Sequence, residues 1–207
     1  MLIGTAVSAG RLDGSDGNLY PGRVAEQFSS DTDVFIETFR LSSLFEQIVL
    51  TAKIDADKRK QTLSCEVDWQ IEIEADRQFI LSAVANLVQN AIKYTKSGGK
   101  IRLRAKVAAD RVLIEIEDQC GGIESETLSS IFKPYAKGHN DRSGLGLGLT
   151  ITRRAVHLSA GTIEVRNNPG HGCTFVINIP KKLIAGVSSK SAVPGIDSVQ
   201  PDFPSQK

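Results

Sequence analysis

The sequence carries almost no excess charge of either sign. Its 207 residues include 25 Lys and Arg against 24 Asp and Glu, which gives a formal net charge of +1. Proteins that bind nucleic acids or membrane surfaces normally carry a basic excess, so the balance argues against both partners. No apolar run approaches the ~20 residues that a membrane-spanning helix needs, and the first residues lack the pattern of a secretion signal. We therefore expect a soluble, cytoplasmic domain.

Cysteine is also scarce. The three cysteines, Cys65, Cys120 and Cys173, are far apart in the chain, and no CxxC spacing occurs. An odd number without motif spacing excludes a disulfide framework and argues against a zinc site, which favours a reducing compartment.

Residues 39–180 carry regular hydrophobic periods, whereas the two ends do not. Residues 1–38 are rich in Gly, Ser and Asp and are predicted to be a linker or a truncated neighbouring element; residues 181–207 are predicted to be a disordered tail. Between them, two amphipathic helices, the second capped by Asp76, and several alternating strands are predicted. Because helices and hairpins segregate, the expected fold is α+β: a two-layer α/β sandwich with helices on one face of a mixed β-sheet.

The second helix carries a polar stripe beside its apolar face. Asn86, Asn90 and Lys93 are spaced at i, i+4 and i+7, and Tyr94 borders them. Asparagine is a poor helix former, and its amide oxygen is a suitable ligand for Mg²⁺. The stripe is either a metal and phosphate site or a solvent-facing surface; alone, it favours neither.

Two glycine segments follow. Asp118 ends a strand before Gly121 and Gly122, where a carboxylate can accept a hydrogen bond from an exocyclic amine, although an ordinary turn explains the same pattern. The second, GLGLGL (residues 144–149), precedes an apolar helix and is typical of a phosphate-binding loop, yet it matches neither the Walker nor the Rossmann pattern. Lys133, Lys137 and Arg142 precede it as a candidate basic lid or as ordinary surface cations.

Taken in order, these segments resemble a known family. NLVQNAIKYT, EDQCGGI, IFKPYAKG and the segment beginning DRSGLGLGL resemble the N, G1, F and G2 boxes of the catalytic, ATP-binding domain of two-component sensor histidine kinases. The resemblance covers about residues 39–180 and implies the Bergerat α/β sandwich with ATP and Mg²⁺ as cofactors. It also implies that residues 1–38 are either a linker or the truncated remnant of a dimerisation helix, and that the chain is cytoplasmic or the cytoplasmic part of a membrane-bound sensor.

The resemblance implies a role for each matching residue. Asn90 would coordinate Mg²⁺, and Asp118 would bind the adenine amine. The other residues expected at the nucleotide are Asn86, Lys93, Tyr94, Gly122, Ile123, Phe132, Gly144, Leu145, Gly146, Leu147, Gly148, Leu149 and Thr174, with Thr174 near the adenine end. Asn86, Lys137 and Arg142 would take part in catalysis, the last two by reaching the γ-phosphate.

Two departures bear on activity. Cys120 stands where the G1 box normally has glycine, which puts the loop geometry in question. Asn86 stands where chaperone and gyrase relatives carry a glutamate base; an amide cannot take a proton, which favours phosphoryl transfer over hydrolysis.

The sequence contains no H box, and His139, His157 and His171 are poor substitutes for a phosphoacceptor. The resemblance therefore implies two partners, a histidine-bearing dimerisation domain and a response regulator receiver domain. The alternatives are a serine kinase of the anti-sigma type and a degenerate module that binds nucleotide or a partner without catalysis.

Overall fold

The computed structural model of the protein describes residues 33–135 and 146–182. In chain order the elements are β1 (Ile36–Arg40), α1 (Leu41–Lys58), β2 (Thr62–Glu66), β3 (Glu72–Asp76), α2 (Arg77–Tyr94), β4 (Lys100–Ala108), β5 (Arg111–Asp118), α3 (Ser125–Leu128), α4 (Gly148–Leu158), β6 (Thr162–Asn168) and β7 (Gly172–Pro180). None of the described helices has the length and apolar character needed to cross a bilayer. Residues 36–38 of the predicted linker belong to β1, which pairs with β3. Most of the predicted tail lies outside the described residues.

Five strands form one mixed sheet in the order β2-β4-β5-β7-β6. The β2–β4 pair is parallel, whereas the β4–β5, β5–β7 and β6–β7 pairs are antiparallel. β1 and β3 form a separate antiparallel pair. The register sets Asp118, the last residue of β5, directly opposite Cys173 of β7.

The core lies on one face of this sheet. Alternation along the central strands sends apolar side chains such as Ile114, Ile116 and Ile177 to that face, where they are fully buried. Helices α1, α2 and α4 contribute buried residues to the same cluster, including Phe45, Leu87 and Val156. Because the helices cover one face only, the expected two-layer α/β sandwich with a mixed sheet is confirmed.

Helix α2 begins where the sequence predicts. The Asp76 Oδ1 atom accepts hydrogen bonds from the backbone N–H groups of Gln78 (2.9 Å) and Phe79 (3.2 Å), which satisfies two donors of the first turn. Its Oδ2 atom accepts a third from the N–H of Phe35 (2.9 Å). This cap fixes the start of the helix that carries the asparagine stripe.

Ion pairs stabilise the other face of the sheet. Glu115 is only 2% exposed, yet its carboxylate is ion-paired with Arg104 (2.7 Å) and Lys106 (2.9 Å), and Arg166 lies 3.7 Å away. Burial alone would raise the pKa of Glu115, but the hydrogen bonds and charges of Lys106 and Arg104 outweigh it. The net result is a pKa below the ordinary glutamate value.

A lowered pKa makes the contribution of Glu115 to stability dependent on pH. The stabilisation is fully present above the ordinary glutamate pKa of 4.5 and is lost as the pH falls through the lower folded-state value. We expect Glu115→Gln to lower the free energy of unfolding by about 1–3 kcal/mol near neutral pH, as for hydrogen bonds to charged groups. Urea denaturation at neutral and at acidic pH measures the difference, which should shrink on acidification.

Glu164→Gln is the matched control, because the ion pair of Glu164 with Arg166 is 59% exposed on both sides and should contribute little. A Glu115→Gln deficit that stays constant down to strongly acidic pH would contradict the assignment.

Candidate functional site

Asn86 joins two helices. Its Nδ2 atom donates a hydrogen bond to the Oγ1 atom of Thr152 at 2.7 Å, and Thr152 is fully buried in α4. A Cβ atom on Gly148 would lie 2.7 Å from the Oδ1 atom of Asn86, so only glycine allows α4 to begin this close to α2. The amide that was predicted as a nucleotide and catalytic residue therefore fixes the start of α4.

The rest of the asparagine stripe follows along α2. Asn90 is half-buried one turn after Asn86, so the helix keeps both amides on one side. The Nζ atom of Lys93 lies 4.7 Å from the centroid of the Tyr94 ring, a cation–π contact. Lys93 also borders a shallow cleft against Arg59, just after α1. The polar stripe thus reaches from α4 to the C-terminal end of α1.

Asp118 is the buried carboxylate of the site. It is 5% exposed, its Oδ1 atom accepts the N–H of Cys120 (2.9 Å), and its Oδ2 atom accepts the thiol of Cys173 (3.2 Å). A Cβ atom on Gly172 would collide with the backbone oxygen of Asp118, so the close approach of β7 requires glycine there. The carboxylate is therefore held in one orientation at the end of β5.

The loop after Asp118 turns through Gly121 and Gly122, both with φ of +93°. A side chain on Gly122 would also collide with the backbone of Pro169, since a Cβ atom would lie 2.9 Å from its Cα atom. Cys120 is not among the residues in the left-handed region, so a side chain is tolerated where the G1 pattern has glycine. The turn after Asp118 therefore forms although Cys120 replaces the glycine of the G1 pattern.

Asn167 holds the loop after Asp118 through two hydrogen bonds, a role that the sequence patterns did not indicate. Its Oδ1 atom accepts the N–H of Ile123 and its Nδ2 atom donates to the carbonyl of Ile123, both at 2.8 Å. The residue ends the inward-facing row of β6, opposite Cys173. The only sequence signal was the Asn-Asn-Pro-Gly turn, which does not predict a contact with a loop 44 residues away.

Residues of the predicted F box contact β7 and the start of α4. Phe132 meets Phe175 of β7 edge-on, with ring centroids 6.4 Å apart, and its carbonyl accepts the hydroxyl of Thr150 (3.3 Å). The N–H of Tyr135 donates to the carbonyl of Gly146 (3.0 Å). Tyr135 and Gly146 are therefore in direct contact at the side where α4 begins.

Four predicted site residues, Lys137, Arg142, Gly144 and Leu145, lie outside the described residues. Their roles stay predictions.

The start of α4 carries no side-chain cap from Leu147 and no acidic residue in its first turn. Gly146 has φ of +68°, Leu147 is the N-cap residue, and the helix begins at Gly148. Gly148 and Leu149 are half-buried beside the asparagine stripe. Such a helix terminus favours an anion, which suits a phosphate chain.

Thr174 lies on β7 beside the site. It alternates with Cys173 and Phe175 along β7 and pairs with Glu117, whose side chain belongs to the charged face of the sheet. The inward neighbour of Asp118 is Cys173, because successive residues of a strand face opposite sides. Cys173 therefore makes the contact with Asp118, and the role of Thr174 near the adenine end stays a prediction.

A second thiol extends this contact. The Sγ atom of Cys120 donates to the Sγ atom of Cys173 across 3.6 Å. The neighbouring sulfur of Cys120, the burial of Cys173 and the charge of Asp118, to which Cys173 donates its proton, raise the pKa of Cys173 well above its ordinary value. In the ligand-free protein Cys173 is therefore a neutral thiol that donates to the carboxylate.

Comparison with known proteins identifies similar chains. Residues 75–183 match the family model described as histidine kinase-, DNA gyrase B-, and HSP90-like ATPase. The alginate biosynthesis sensor protein KinB of Pseudomonas aeruginosa is 34% identical over 125 residues, which are 60% of this chain and 21% of that protein. The sensor-like histidine kinase SenX3 of Mycobacterium tuberculosis is 28% identical over 160 residues, 75% of this chain and 38% of that protein. The chain thus spans well under half the length of these relatives.

Solved structures agree with the fold. The catalytic domain of the histidine kinase ThkA, nucleotide-free, superposes with a TM-score of 0.66 at 28% identity, covering 72% of this chain and 99% of that one. ThkA in complex with the response regulator protein TrrA gives a TM-score of 0.63 at 26% identity, covering 77% of this chain and 46% of that one.

The clamp by Asn167 can be tested without a ligand. Asn167→Ala removes both hydrogen bonds to Ile123, so we expect a loss of about 1–3 kcal/mol in the free energy of unfolding. The amide of Ile123 should also exchange with solvent faster, which hydrogen exchange read by mass spectrometry measures. Asn168→Ala, at the exposed adjacent position, is the control. Equal protection of the loop in both variants would contradict the role of Asn167.

Proposed function

The chain belongs to the family of histidine kinase-, DNA gyrase B- and HSP90-like ATPases, and from this premise we propose that it binds Mg-ATP and transfers the γ-phosphoryl group to a histidine. The acceptor histidine would lie on a separate dimerisation domain, and a response regulator receiver domain would take the phosphoryl group next. A complex of ThkA with a response regulator supports the second partner. The proposed setting is the cytoplasm, in a protein that is soluble or part of a membrane-bound sensor.

The observation that carries the proposal is the buried carboxylate of Asp118. The loop of Gly121 and Gly122 turns directly after it, and hydrogen bonds from Cys120 and Cys173 fix its orientation. A carboxylate held in this way accepts a hydrogen bond from the exocyclic amine of adenine and rejects a base that offers a carbonyl there. Adenine specificity is thus assigned to one residue.

The phosphates would lie at the start of α4. The first-turn N–H groups after Leu147 and the positive end of the helix dipole favour the triphosphate. Gly148 lies against Asn86, which places the start of α4 beside the asparagine stripe of α2. This arrangement puts Asn90 on the helix that borders the phosphate site.

The donor set suits Mg²⁺. Asn90 would supply a neutral amide oxygen, a hard ligand of the kind Mg²⁺ takes together with water and phosphate oxygens. When bound, the ion would neutralise charge on the phosphates. Lys93 is proposed to add positive charge at the edge of the stripe, and Lys137 and Arg142 to approach the γ-phosphate.

Asn86 supports transfer over hydrolysis. An amide cannot act as the general base that would activate water, and its Nδ2 atom is hydrogen-bonded to Thr152. The phosphoryl group would therefore pass to a nucleophile brought by a partner.

Calorimetry with a non-hydrolysable ATP analogue tests the nucleotide site. We expect Asp118→Ala to weaken binding by roughly 10–150-fold with or without Mg²⁺, the range for losing a hydrogen bond to a charged group. Asn90→Ala should remove only the increase in affinity that Mg²⁺ produces.

Asp110→Ala is the matched control, because Asp110 precedes the opposite end of β5 and is exposed. Each variant must keep the circular dichroism of the parent. Unchanged affinity in both Asp118→Ala and Asn90→Ala would disprove the proposed site.

The reaction is tested with γ-labelled ATP and a helical dimerisation domain that carries an H box. We expect an acid-labile, base-stable phosphate on that domain, as for phosphohistidine, and little release of free phosphate without it. Asn90→Ala should reduce labelling by at least roughly 100-fold, because phosphoryl transfer depends on charge neutralisation. An acid-stable phosphate would support the serine-kinase alternative, and nucleotide binding without labelling would support a non-catalytic module.

A further inference from the structure

Two thiols and a carboxylate converge at the end of β5. The Sγ atom of Cys173 lies 3.2 Å from the Oδ2 atom of Asp118, and the Sγ atom of Cys120 lies 3.6 Å from that of Cys173. The ligand atoms of all three residues lie within 4.8 Å of one another. Among the described residues, this is the one group of three or more His, Cys, Asp or Glu side chains close enough to share a metal ion.

Two of these separations are close to those around a tetrahedral metal ion, and the third, between the Cys120 sulfur and the Asp118 carboxylate, is within 4.8 Å. With metal–sulfur bonds near 2.3 Å and metal–oxygen bonds near 2.0 Å, two sulfurs lie about 3.8 Å apart and a sulfur and an oxygen about 3.5 Å apart. The observed 3.6 Å and 3.2 Å differ from these values by only a few tenths of an ångström. A disulfide would instead require the sulfurs to approach to about 2.05 Å.

The fold holds the three ligands in place. Asp118 and Cys173 are paired across β5 and β7, and Gly172 permits their close approach. The N–H of Cys120 binds the Oδ1 atom of Asp118, which leaves the Oδ2 atom directed at the thiols. Asn167 holds the far end of the same loop. Such outer contacts orient the ligands of metal sites.

We propose that Asp118, Cys120 and Cys173 form a binding site for a thiophilic divalent cation of the Zn²⁺ type. Three protein ligands leave a fourth position for water, as in open zinc sites, and half-buried Cys120 gives access from solvent. Binding forms two metal–thiolate bonds and releases the two thiol protons to solvent. Sulfur ligands distinguish this site from the proposed Mg²⁺ site at Asn90, because Mg²⁺ takes oxygen ligands.

The effect of this cation site on nucleotide binding rests on the proposed function. The carboxylate that binds the cation is the one proposed to bind the adenine amine, so the two ligands exclude each other. A bound Zn²⁺ would therefore lower the affinity for ATP, and ATP would lower the affinity for Zn²⁺ by the same factor.

The first experiment uses Co²⁺ as a spectroscopic probe for the full, reduced chain in the absence of nucleotide. We expect one Co²⁺ per chain, a near-ultraviolet charge-transfer band of a strength typical of two thiolates, release of two protons, and stoichiometric displacement by Zn²⁺. Cys120→Ser and Cys173→Ser should each weaken binding by more than the roughly 10–100-fold that loss of an outer-shell partner causes.

Cys65→Ser is the matched control, because Cys65 is exposed on β2, away from the cluster. It should bind Co²⁺ like the parent chain. Absence of a thiolate band, a band that survives Cys173→Ser, or a band lost in Cys65→Ser would overturn the site. So would a thiol count showing that two cysteines had formed a disulfide instead of binding metal.

The second experiment titrates the ATP analogue with and without saturating Zn²⁺. We expect at least a tenfold loss of affinity in the parent chain and a much smaller loss in Cys120→Ser. If Co²⁺ binds as described and ATP does not bind at all, the proposed function fails while the metal site stands. If both bind without competition, the shared use of Asp118 is wrong.

Discussion

The buried carboxylate of Asp118 is the constraint around which the site is built. A carboxylate that is 5% exposed must have its oxygens hydrogen-bonded, and here the donors come from the following loop and from the neighbouring strand. The same two bonds therefore define the turn after β5 and the approach of β7. The close approach of these strands requires glycine at position 172, because any side chain on Gly172 would separate them.

A second polar contact ties the helices to this sheet edge. Asparagine weakens a helix, but Asn86 uses its amide to reach buried Thr152 and so sets where α4 begins. Glycine is again required at position 148, since a Cβ atom on Gly148 would collide with that amide. One close contact positions the start of α4 and another positions the carboxylate of Asp118, which explains why glycines recur at both places.

Periodicity predicted the fold well and the site less completely. The cap of Asp76, the two long helices and the alternating strands follow from local patterns, and the structure confirms them. The contact of Cys173 with Asp118 was not predicted, because the family resemblance pointed to the adjacent Thr174, whose role stays a prediction. The contacts of Cys120 with Cys173 and of Asn167 with Ile123 could not be predicted, because they depend on strand register across 53 and 44 residues.

The chemistry of the site follows from what Asn86 and Cys173 cannot do. Asn86 has no proton-accepting group, so water next to the phosphates would lack a base on α2. Cys173, kept neutral by its raised pKa, serves as a donor to Asp118 as a hydroxyl would, and this bond is compatible with the proposed recognition of adenine. Unlike a hydroxyl, a thiol has a high affinity for soft metal ions, and Cys120 supplies a second sulfur where the G1 pattern has glycine. A substitution pattern that is conservative for nucleotide binding thus adds a distinct ligand chemistry to the same carboxylate.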